Sequence, residues 1–150
     1  MIFSRIFIAS TFFAVSFAAP APVRRVVGGF LPEVQNGGVP GVATVADLSQ
    51  NECGIQVNPG DLVFLVSRAF LGVAPGTSAA ENGLCGRSDA TIFVLDENET
   101  VIKETTSALA PVGICDDCAE GDVVINQAVF GELGGDPAVG VINNVFPRFG

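Results

Sequence analysis

The chain has 150 residues, with 7 Lys and Arg against 16 Asp and Glu, a net charge of −9, four Cys, and no His, Trp or Tyr. Without His there is no Ser-His-Asp triad, no Cys-His dyad and no His-ligated metal. A chain this acidic repels phosphate backbones, which argues against nucleic acid as a partner.

Arg5 opens a short positive region, and residues 6–19 form a nearly unbroken apolar run of 14 residues. That is short of the roughly 20 needed to span a bilayer as a helix. Small residues at Ser16 and Ala18, with Pro20 just beyond, fit a cleavage site, so residues 1–18 read as a secretory signal peptide. Residues 19–25 read as a pro-segment that ends in the dibasic pair Arg24-Arg25, a processing-protease site. The remaining chain, residues 26–150, holds four basic and sixteen acidic side chains, a net charge of −12. Its size suits one domain, since domains commonly run roughly 100–150 residues. The expectation is a secreted, extracellular, monomeric protein, free of the membrane after signal cleavage.

Residues 26–40 contain several Gly and Pro and no periodic apolar pattern, which predicts a flexible N-terminal arm. From residue 41 the chain turns to short apolar runs separated by turn residues. Strands are predicted at 42–46 and 62–66, and a surface loop rich in Gly, Ala, Ser and Pro at 72–83. Two β-branched runs, 91–95 and 100–106, flank Asp96-Glu97-Asn98-Glu99 and predict a hairpin. Asn98-Glu99-Thr100 is a glycosylation sequon at its tip, where a glycan is sterically free. Further strands are predicted at 122–125 and 139–146. Asn126 caps a short helix from Gln127 to about Leu133, with Val129, Phe130 and Leu133 on one face. Gly131, Gly134 and Gly135 keep it short. Six strands, one short helix and no βαβ rhythm predict an all-β closed barrel.

Cys53, Cys85, Cys115 and Cys118 are an even set in a secreted chain, which favours two disulfides in any of three pairings. A four-cysteine zinc site and a redox C-x-x-C are the alternatives on spacing. Asp116 and Asp117, enclosed by Cys115 and Cys118, oppose thiolate formation, the reverse of what redox catalysis needs. No metal and no cofactor are expected.

Gly41-Val-Ala-Thr-Val-Ala-Asp47, Cys53-Gly54, Leu84-Cys85-Gly86 and Cys115-Asp-Asp-Cys118-Ala-Glu-Gly-Asp122 occur in an order that resembles the RlpA-like double-psi β-barrel family. Residues 123–133 and the segment from Gly140 to Phe149 extend the likeness over most of residues 41–149, which implies one such domain at 41–150. The resemblance is to its small secreted fungal members, which share a barrel with barwin and the expansin N-terminal domains. It implies a six-stranded double-psi β-barrel with one short helix, a groove across one face, and disulfides Cys53–Cys85 and Cys115–Cys118. The first would close a loop of roughly 33 residues and contribute about 3–4 kcal/mol.

The family's active relatives rest on carboxylates, and glycosidases need two, an acid and a base, across the scissile bond. The family pattern Val-Asp-Arg-Cys reads here as Val112-Gly113-Ile114-Cys115, so Gly113 stands where that Asp would be. The Asp of its Asp-Leu-Ser segment falls on Val124. Asp47 keeps the base position without a partner acid; Asp116 and Asp122 are the other groove candidates. Sugar-binding grooves rely on Trp and Tyr, and this chain has neither. Phe30, Phe64, Phe70, Phe93, Phe130, Phe146 and Phe149 lie mostly in apolar runs and read as core. The resulting expectation is a non-catalytic barrel that binds an extracellular protein or cell-wall partner, in a protease-inhibitor-like or host–microbe role. The alternative is an expansin-like module that binds or loosens wall polysaccharide without hydrolysis.

Overall fold

The computed structural model describes residues 27–150. The expected signal peptide (residues 1–18), pro-segment (19–25) and Arg24-Arg25 processing site lie outside the described residues. Seven strands form one mixed sheet: β1 (Gly41–Val45), β2 (Val63–Ser67), β3 (Ala90–Leu95), β4 (Val101–Glu104), β5 (Ala110–Cys115), β6 (Val123–Ile125) and β7 (Val141–Phe149). Their spatial order is β4-β3-β7-β1-β6-β2-β5. The pairs β1–β6 and β2–β5 are parallel, and the other neighbours are antiparallel. Among the described residues there are three short helices, where one was expected: α1 (Pro32–Gln35), α2 (Arg68–Leu71) and α3 (Gln127–Glu132).

The expected closed, six-stranded barrel is corrected on both counts. The seventh strand is β5, whose Pro111 and Gly113 hide it from an alternation reading. Proline is tolerated there because β5 is an edge strand, and only one of its flanks needs a full ladder of donors. Closure would require β5 to pair along β3. Ala90 and Leu109 do meet in an isolated bridge, exchanging hydrogen bonds of 3.3 and 2.8 Å. From Phe93 onward, however, that flank of β3 is taken by its hairpin partner β4. One bridge is not a ladder, and the sheet stays open.

The main core gathers Phe64, Val66, Ile92, Val123, Ile125, Val129, Phe130 and Val145, among others. The helix expected after Asn126 is present as α3, and the Asn126 side chain accepts a hydrogen bond from the Val129 N–H. Ser67 caps α2 in the same way, accepting from the N–H groups of Ala69 and Phe70. No described helix is long and apolar enough to cross a membrane.

The stretch expected to be a flexible arm is anchored at two positions. Leu31 and Val34 are buried in a second cluster with Phe93, Leu95, Val101 and Phe146. Gly28 N donates to Val101 O and Val101 N to Gly29 O, so the arm pairs with the outer edge of β4. Of the seven phenylalanines read as core, Phe64, Phe93, Phe130 and Phe146 are buried. Phe70 and Phe149 pack against the core at its margin, and Phe30 alone among the seven is largely exposed.

Both disulfides are formed: Cys53–Cys85 at a sequence separation of 32 and Cys115–Cys118 at a separation of 3. All four cysteines are engaged in these two bridges, and none of the described cysteines is free.

Candidate functional site

A groove of about 740 Å³ opens where β1 and β6 end, between the turn after β1, the 57–59 segment and the start of α3. Its walls are built from main chain held by side chains. Asp47 accepts the Ser49 N–H at 2.9 Å, which closes the turn and buries Leu48 behind it. Asn51 ties that turn to the next one, donating to Leu48 O and Ile55 O and accepting from Ile55 N. On the far wall Asp61 accepts the Asn58 N–H at 2.7 Å. Asn126 donates to Asp61 O at 2.7 Å while it caps α3. Behind the groove Leu48, Val63 and Val112 form a small third core, against which Val57, Leu65 and Val124 pack.

Asp47 is the exposed carboxylate of this groove. Its pKa lies below the ordinary aspartate value, first because of the Ser49 backbone N–H and second because of the Ser49 hydroxyl. A hydrogen bond to the charged form favours that form. The group is therefore a fixed negative charge at neutral pH. The lining side chains are Val45, Ala46, Leu48, Val57, Pro59 and Ala128, with amides and a hydroxyl among them, and no aromatic ring.

The other expected groove residues are elsewhere. Asp122 accepts the N–H of Val42 on one oxygen (2.8 Å) and of Ala119 on the other (3.2 Å). It locks the start of β6 to the start of β1, at the end of the strand pair opposite to Asp47. At about 3.3 Å per residue, the four steps from Val42 to Ala46 already span about 13 Å. Paired glycosidase acids stand roughly 5–10 Å apart. Asp116 is exposed and ion-paired to Arg68 at 2.6 Å. Arg68 also donates to Ala74 O and Thr77 O, so this pair anchors the long loop after α2. Asn98 is exposed at the β3–β4 turn, as expected for a sequon at a hairpin tip.

The strand register lines up Thr44, Val124, Leu65 and Gly113 across β1, β6, β2 and β5. Gly113 and Val124 thus share one face of the sheet, and neither carries a carboxyl. A Cβ on Gly113 would sit 3.0 Å from Leu65 Cδ2 and 3.2 Å from Glu52 Cβ. Glu52 is the acid that sequence reasoning missed. Its Oε1 accepts the Ala79 N–H at 2.7 Å and its Oε2 the Ile114 N–H at 3.1 Å. Both oxygens are committed to main chain, so Glu52 braces the loop against β5. The available signals were its place beside Cys53 and the empty side-chain position at Gly113.

No family model matches the sequence, and no curated relative does. Among solved structures the chain is similar to the Streptomyces papain inhibitor, with 18% identity, a TM-score of 0.48, and coverage of 74% of this chain and 92% of that one.

Proposed function

We propose that the protein is a secreted, non-catalytic binding module that holds a segment of a partner protein in the groove beside Asp47. The observation that carries this reading is the groove itself: a pinned main chain, small apolar walls and Asp47 as the exposed carboxylate among the lining residues. Such a surface offers fixed shape and one fixed charge. Two-carboxylate hydrolysis needs a proton donor paired with a base, and Asp47 is the one acid among the groove's lining residues. The absence of rings among the lining residues favours peptide over sugar, because pyranose rings are held by stacking.

The net charge of −12 on residues 26–150 favours a cationic partner. Export is part of the proposal, with removal of residues 1–18 and a second cut after Arg25. Two disulfides support it, because such bonds persist in oxidising compartments. Kinship with the RlpA-like proteins also belongs to the proposal, supported by the order of the four cysteine segments and the groove next to Asp47.

The test is a binding and inhibition panel of secreted proteases alongside insoluble cellulose, chitin and β-glucan. Saturable, salt-sensitive capture of a protease that Asp47→Lys abolishes is expected, with no retention on polysaccharide and no release of reducing sugar. Hydrolysis that depends on Asp47, or retention on chitin or glucan, would sink the proposal.

A further inference from the structure

The turn between β3 and β4 is held by a set of hydrogen bonds centred on Asp96. Asp96 Oδ1 accepts the N–H of Asn98 at 2.8 Å and of Thr100 at 2.9 Å. Asp96 N donates to Thr100 O and Glu99 N to Asp96 O. Glu99 adopts φ 62°, and its carboxylate accepts a hydrogen bond from Gln35 of α1. The main chain of the sequon is thereby fixed, while Asn98 stands exposed and its side-chain amide is engaged by none of the described residues.

On the strand that follows this turn, and on the arm paired with it, lies exposed apolar surface. Phe30 bridges to Thr100 across the arm–β4 pairing and is 57% exposed. Ile102, two residues from Thr100 and so on the same face of the strand, is 55% exposed. A sheet edge with bare apolar side chains is a site of unwanted association unless something blunts it.

We propose that Asn98 carries an N-linked glycan whose first sugars lie over Phe30 and Ile102. The proposal rests on the export reading, since the donor is a lipid-pyrophosphate-linked oligosaccharide met only in the secretory pathway. In the transfer, Asn98 Nδ2 forms a bond to C1 of the first sugar and the C1–O bond to the lipid pyrophosphate breaks. The lipid pyrophosphate leaves with the bonding electrons, and the amide gives one proton to a base of the transferase. The glycan then covers the apolar side chains at the arm–β4 pairing and leaves the groove at the end of β1 open.

The full chain, expressed with its own leader in a eukaryotic secretory host, provides the test. Intact mass of protein from the medium is expected to show one glycan, lost in Asn98→Gln and in Thr100→Ala and kept in Thr100→Ser. Unmodified Asn98 in secreted protein overturns the site alone, whereas chain retained in the cytosol overturns the export reading with it. For the covering role, Asn98→Gln is expected to bind an apolar dye several-fold more strongly than the glycoprotein. Adding Phe30→Ser and Ile102→Ser is expected to return dye binding to the glycoprotein level. Equal dye binding by glycoprotein and Asn98→Gln overturns the covering role.

Discussion

Glu52 joins two segments far apart in the chain, with one carboxylate oxygen on the Ala79 N–H and the other on the Ile114 N–H. Hydrogen bonds to a charged acceptor contribute about 1.5–3 kcal/mol, and exposure lowers that figure. Glu52→Ala is expected to lower unfolding free energy by about 1–3 kcal/mol in urea denaturation. Gly113→Asp is expected to destabilise as well and to give no hydrolase, because its Cβ meets Leu65 and Glu52 and its charge faces another carboxylate. If that substitution is neutral, Glu52 does not occupy the space the geometry assigns to it. Gly41 is a different case: a Cβ there would overlap the main chain of Gly121 and Asp122. Gly41→Ala is therefore expected to cost more than about 3 kcal/mol, or to prevent folding, because main chain cannot step aside as a side chain can.

Acid sensitivity also belongs to single residues. Asp47 and Glu81 are held below their ordinary values chiefly by backbone N–H groups of Ser49 and Ser78, and Asp89 chiefly by the Arg87 guanidinium. Each binds its proton more weakly folded than unfolded. Their contribution to stability is thus complete above the unfolded carboxylate range of about 4 and is lost as pH falls through the lower folded values. Carboxyl NMR titration should place the Asp47 midpoint below that of an ordinary aspartate. In Ser49→Ala the midpoint is expected to rise only part of the way, since the backbone N–H remains. A full return would mean the hydroxyl dominates.

The elements divide into those legible along the chain and those that depend on distant neighbours. Strands β1, β2, β3, β4, β6 and β7 lie within a residue or a few of the predicted runs, because each is an apolar or β-branched stretch between turn residues. The capped helix α3 was legible for the same local reason. β5 was not, since Pro111 and Gly113 break its pattern and only its position at the sheet edge makes them acceptable. The arm was not either. Its Gly and Pro content says loop, but Leu31 finds Phe93, Val101 and Phe146, all remote in sequence. Leu31→Ala is expected to cost about 2–5 kcal/mol, as buried leucines do, where a mobile arm would show no change. The two disulfides should also differ. In the loop-entropy account the longer loop contributes about 3–4 kcal/mol and the short one about 2. Replacing Cys53 and Cys85 by Ser should therefore lower the denaturation midpoint more than replacing Cys115 and Cys118.

On the scale of the whole molecule, charge and shape act together. An acidic surface attracts cationic partners at long range, and salt screens that attraction with a Debye length of about 10 Å at 0.1 M. Partner capture in the proposed groove is accordingly expected to slow in its on-rate as salt rises, while Asp47→Lys, which removes the acceptor of the Ser49 N–H but no core packing, is expected to lower the thermal midpoint only modestly. A large loss of stability in that variant would reassign Asp47 to the framework.

The sequence by itself determined composition-level and local facts: no imidazole chemistry, an even cysteine set, six of the seven strands, the cap of α3, and the sequon. These depend on residue type and short-range spacing, which need no knowledge of distant neighbours. Only the tertiary structure decided that β4 takes the flank of β3 and leaves the sheet open. Only it placed Asp122 at the opposite end of the strand pair from Asp47, and brought Glu52 over Gly113. Each of these depends on which strand edges and which backbone donors meet across long stretches of chain, and that pairing is settled by packing of the assembled sheet.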